Sequence, residues 1–150
     1  MVDFKKYLKD GFKSAQIAAT NRADIENVFM ELNRQIGEET GGRLSIQIQE
    51  RHRFPELAKS FLEQVDDFKK NYVLSAIIPG MEHVDIAKWH QASSGYPCRI
   101  VFDDMSLSCE DRKSLEKGLS KMLSNSIVGS KISTLLAKNP PLKISDDETP

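Results

Sequence analysis

The hydrophobic positions of the chain change their period several times, and each change marks an element. From Asp3 to Ala19, Phe4, Leu8, Phe12 and Ala15 recur at i, i+4, i+8 and i+11, the stripe of an amphipathic helix. Gly11 lies inside it and weakens it by roughly 1 kcal/mol relative to alanine. Thr20-Asn21 predicts an interruption, with Asn21 as the N-cap of a second helix and Asp24 placed to complement its dipole. Ile25, Val28, Phe29, Leu32 and Ile36 then give the cleanest helical spacing in the chain, which Gly37 and Thr40-Gly41-Gly42 end.

The period next falls to two. Leu44, Ile46 and Ile48 alternate with Ser45, Gln47 and Gln49, the pattern of a strand covered on one side only. Pro55, suited to a first helical turn, opens a helix that runs through Leu57, Phe61, Leu62 and Val65 to about Lys70. Tyr72 to Ile78 reads as a strand ending at Pro79-Gly80, and Val84 to Ala92 as the next. Strict alternation sets Val84, Ile86, Lys88 and His90 on one face of it, and Ala87 and Trp89 on the other. Ser93-Ser94-Gly95 is a turn signal, and Pro97 starts the following strand.

Cys98 to Cys109 is the most informative stretch. A two-residue turn at Asp103-Asp104 opposes Phe102 with Met105, Val101 with Ser106, Ile100 with Leu107, Arg99 with Ser108 and Cys98 with Cys109. The register that closes this turn also collects Cys98, Ile100, Phe102, Met105, Leu107 and Cys109 on one apolar face, and a one-residue slip would destroy that agreement. Ser108 is the expected cap of the next helix, with Asp111 three residues on. Leu115, Leu119, Met122 and Leu123 supply its stripe. Asn125-Ser126 breaks it before a last helix carrying Val128, Ile132, Leu135 and Leu136, which Asn139-Pro140-Pro141 ends. The sum is an α+β fold: an antiparallel sheet of about five strands, a meander after residue 72, with helices on one face and at both termini. Residues 1–142 form one domain, and residues 143–150 a mobile acidic tail.

Length and charge narrow the function. A chain of 150 residues is the size of one domain, which buries about 68–70% of its unfolded surface and needs neither metal nor disulfide to fold. Its 21 Lys+Arg nearly cancel 22 Asp+Glu for a net charge of −1, which argues against a dedicated nucleic-acid binder. The charge is uneven, however. Asp24 to Asp67 is rich in acids, whereas Arg112, Lys113, Lys117, Lys121 and Lys131 make the C-terminal helices basic, and such helices can touch phosphates weakly. No apolar run approaches the ~20 residues that cross a bilayer, and the mixed charges of Met1 to Lys6 do not form a secretory signal. Two cysteines fit a reducing compartment. The expectation is a cytoplasmic protein with no membrane partner.

Candidate chemistry is sparse. There is no phosphate loop, and Gly41-Gly42 precedes a strand instead of opening a helix. His52, His83, His90, Cys98 and Cys109 include no closely spaced metal-ligand pair. Asp66-Asp67, Asp103-Asp104 and Asp146-Asp147 are adjacent in sequence, so their side chains diverge and build no acid–base dyad. The sequence therefore predicts no catalytic residue, no metal and no cofactor. Trp89, His90, Tyr96 and Arg99 cluster around the Ser-Ser-Gly turn and are of the types that anchor interfaces. They are the expected partner-binding residues of a non-enzymatic protein-binding module, such as an immunity or antitoxin-type inhibitor or a dedicated chaperone. The alternatives are a small enzyme or nucleotide-binding domain with a dispersed site, and a weak nucleic-acid contact through the C-terminal helices.

Overall fold

The Cys98 to Cys109 hairpin forms as its sequence requires. In a computed structural model that describes residues 1–51 and 71–141, Phe102 pairs with Met105, Ile100 with Leu107 and Cys98 with Cys109. Asp103 takes a left-handed φ of 53° at the turn, a conformation that aspartate tolerates better than most residues. The elements in order are α1 (Phe4–Thr40), β1 (Ser45–Arg51), β2 (Asn71–Ile77), β3 (His83–Ala92), β4 (Gly95–Phe102), β5 (Met105–Cys109), α2 (Arg112–Leu123) and α3 (Ser126–Lys138). The helix expected from Pro55 to Lys70, and the tail from residue 143, lie outside the described residues.

The strands form one antiparallel sheet in the order β1-β2-β3-β4-β5, and the fold is α+β. α1 crosses β1 and β4, α2 lies on β4 and β5, and α3 lies on β3. Ile25 and Phe29 of α1, Leu115 and Leu119 of α2, and Val128 and Leu135 of α3 join the apolar strand residues in one core.

Four details depart from the sequence expectation. First, α1 is a single helix of 37 residues instead of two. Thr20 Oγ1 donates to Gln16 O within the helix, and Asn21 Nδ2 donates to Ser94 O. Residues that favour caps do not break a helix when their side chains find other partners and no proline interrupts the backbone ladder. Second, β3 carries a bulge. Leu74 pairs with Ala87 and Ser75 with Asp85, so Ile86 is an extra residue. A bulge reverses the alternation beyond it. Val84 and Ile86 thus pack into the core alongside Ala87 and Trp89, while Lys88 and His90 are exposed. Third, Ser108 stays in β5 opposite Arg99. The N-cap of α2 is Asp111, which accepts from Ser114 N at 2.8 Å while Ser114 Oγ accepts from Asp111 N at 3.0 Å. β4 also begins at Gly95, two residues before Pro97.

Candidate functional site

α1 consists of two unlike parts. Its C-terminal half buries Ile25, Val28 and Phe29 against the sheet. Its first half, up to Thr20, projects past the β3–β4 turn as an arm, about 25 Å long at 1.5 Å per residue. Phe4, Tyr7, Leu8 and Phe12 on this arm are 75%, 63%, 58% and 65% exposed. At 100° per residue, Tyr7, Gly11, Phe4, Ala15, Leu8 and Phe12 fall in that order within an arc of roughly 140°. Lys5, Lys9, Lys13 and Lys6 occupy the opposite side, against two acids, Asp3 and Asp10. The arm is therefore a basic amphipathic helix whose apolar face touches nothing among the described residues of the body.

The junction between arm and body is built closely. Asn21 Nδ2 donates to Ser94 O at 3.1 Å, and Arg22 Nη1 donates to Ser93 O at 2.8 Å. Gly95 has φ +95°, and a Cβ there would stand 2.6 Å from Asn21 Cβ, so the turn can approach the helix only because this residue is glycine. One step along, Tyr96 OH donates to Asp24 Oδ2 at 2.7 Å, and Arg112 Nη1 donates to Asp24 Oδ1 at 3.1 Å. Burial first, and then the Asp24 carboxylate, holds the Tyr96 hydroxyl above its ordinary range. These bonds tie α1, β4 and α2 together and fix the direction in which the arm leaves.

The four residues expected to bind a partner divide between two environments. Trp89 is 2% exposed, packs edge-on against Phe29 with ring centroids 5.4 Å apart, and donates from Nε1 to Gln91 Oε1. It belongs to the core beneath α1. Tyr96 is half-buried and engaged with Asp24. Only His90 and Arg99 are brought together on the exposed face of the sheet, directly opposed in register, with Lys88 two residues from His90. Among the described residues neither Arg99 nor Lys88 enters an ion pair.

The remaining candidate groups are engaged elsewhere. Cys98 and Cys109 face each other as free thiols, each 1% exposed. Burial, and then the neighbouring Cys109, pushes Cys98 up to about 12, and burial raises Cys109 ahead of Glu110 and Asp111. Such thiols are poor nucleophiles. Among the described residues no three His, Cys, Asp or Glu side chains gather as a metal site. Of the basic C-terminal residues, Arg112 is bonded to Asp24 and Glu116, and Lys131 Nζ donates to Asp85 O. Among the described residues no helix is long and apolar enough to cross a membrane.

The Phe4-Leu8-Phe12 stripe was visible in the sequence, but a stripe shows only that a helix has an apolar side. Nothing local reveals whether the body covers that side. In comparisons with known proteins, no family model, no curated protein and no solved structure matches the chain.

Proposed function

We propose that the protein is a non-enzymatic protein-binding module that docks its partner along the arm of α1. One observation carries this reading: three aromatic side chains and a leucine stand more than half exposed on a helix that the described residues of the body leave uncovered. Exposed apolar surface of this kind marks an interaction site, and an amphipathic helix laid along an apolar surface is a recurrent docking mode. The four lysines lie on the other side of the helix and leave the docking face apolar. An inhibitor of the immunity or antitoxin type and a dedicated chaperone are the finer forms of this function, since both act by covering another protein. Two buried free thiols suit a reducing compartment, and we place the protein in the cytoplasm.

The test is affinity capture from the native host with the tagged full chain, compared with the Leu8→Glu, Phe12→Glu variant. The expected result is one protein at stoichiometric yield with the wild type and its loss with the variant, the melting temperature of the body being unchanged. Equal recovery by both chains, or no partner across several growth conditions, would overturn the reading.

A further inference from the structure

We infer that the occupant of the arm is the arm of a second copy of this chain, lying antiparallel in the register that sets Phe4 against Ala15. The inference rests on the arm being the docking element, and it names the partner. Phe4, Leu8, Gly11, Ala15 and Ala18 are separated by four, three, four and three residues, the seam of a two-helix pair. The same spacing continues without a slip through Arg22, Ile25, Phe29, Leu32 and Ile36. One seam thus runs the length of α1. The sheet covers its second half, and the first half is bare.

The order of sizes along the bare seam selects the direction. Phe4 and Leu8 are large; Gly11 and Ala15 are small. In a parallel pair each large residue meets its own copy, and the small layers leave gaps. In the antiparallel register Phe4 meets Ala15 and Leu8 meets Gly11, and by symmetry the reverse. Every layer then joins a large side chain to a small one, the arrangement that fills a helix pair without voids or overlap. Lys5 falls beside Phe12 of the second copy, where its cation can lie against the ring. Lys6, Lys9 and Lys13 point away from the seam, so the like charges of the two arms do not meet.

Length fits as well. The helical overlap covers Phe4–Ala15 and stops short of Asn21 and Arg22, where α1 meets the Ser93-Ser94 turn, so the two bodies sit at opposite ends of the pair. Covering the exposed rings and aliphatic side chains of both arms removes on the order of 1,000 Å² from water, the lower bound for a specific interface. An interface of this size belongs to the weak, reversible class.

The test is sedimentation equilibrium of the full chain from low micromolar to several hundred micromolar. The wild type should pass from monomer to dimer. Gly11→Leu is the decisive variant. A Cβ at Gly11 meets nothing within 4 Å of the chain's own atoms, so the substitution is free in the monomer and favours helix. It nevertheless fills the place of the second copy's Leu8, and should weaken the dimer by roughly tenfold or more. Ala15→Phe should do the same, and adding Phe4→Ala to it should restore the dimer by exchanging large and small across one layer. If Gly11→Leu or Ala15→Phe dimerises as well as the wild type, the register is overturned. A wild type that stays monomeric throughout overturns the second copy as occupant but leaves the arm as a protein-docking element, which the capture experiment judges separately. A monomer that instead co-sediments with phosphatidylcholine–phosphatidylglycerol vesicles, and is released by Leu8→Glu, overturns both.

Discussion

Cys98 and Cys109 show how far one residue's role can be read from spacing. The turn at Asp103-Asp104 and the apolar alternation on either side of it agree on one register only, so both cysteines had to face inward and oppose each other. They do, at 1% exposure each. The consequence is a pH dependence with a definite sign. Unfolded, the Cys98 thiol loses its proton near pH 8.5; folded, it keeps it to about 12. Between these values the native state binds more protons than the unfolded one, so stability present below about pH 8.5 is lost as pH rises towards 12. We expect the urea midpoint to fall steadily above pH 8.5, Cys98→Ala to lessen the fall up to about pH 10, and Cys109, also raised by burial, to account for what remains there. Above that, Tyr96, also raised by burial, continues it. Thiol titration should find neither cysteine reactive in the native protein and both reactive in denaturant. Trp89 is the opposite case. An aromatic beside a turn fits a surface anchor and a core residue equally well, and the choice was made by Phe29, sixty positions away in the chain.

At the level of elements, the long regular patterns were legible and their interruptions were not. Among the described residues the helical stripes and the meander lie where the periods place them. Thr20-Asn21 resembles a helix break, yet the backbone continues because Asn21 is held by the β3–β4 turn. The bulge at Ile86 reversed one face of β3 because pairing with β2 is a property of two strands, and period two in one strand cannot register it. The link between α1 and β1 is equally non-local. Asn33 donates from Nδ2 to Ile46 O at 2.9 Å and accepts from Ile46 N at 2.7 Å, acting as a strand partner for the outer side of β1. Asn33→Ala leaves both backbone groups without that partner and should destabilise the protein by about 1–3 kcal/mol. Urea unfolding measures the loss, and faster hydrogen exchange at the Ile46 amide locates it. An unchanged exchange rate there would show that Asn33 does not hold the edge.

At the scale of the molecule, a body held together by one core carries an arm that, among the described residues, contributes nothing to that core. The first buried residue of α1 is Ile25, and the bonds from Asn21 and Arg22 to the turn lie on the body's side of the junction. Removing residues 1–18 should therefore change the unfolding free energy of the body by less than about 0.5 kcal/mol, while abolishing self-association. A large loss of stability, or cooperative unfolding that disappears, would show that the arm belongs to the folding unit. The near-zero net charge hides the same division, since the arm gathers Lys5, Lys6, Lys9 and Lys13 on a chain that is slightly acidic overall. By itself the sequence determined the α+β class, the hairpin register and the existence of an amphipathic N-terminal stripe. Each follows from periods of two or 3.6 residues, which are local properties of the backbone. Only the tertiary structure decided which apolar stripes are covered. It buried Trp89, opposed His90 to Arg99 on the open face and left Phe4, Leu8 and Phe12 bare. Burial depends on what stands across a contact, and the residues across it are distant in the chain.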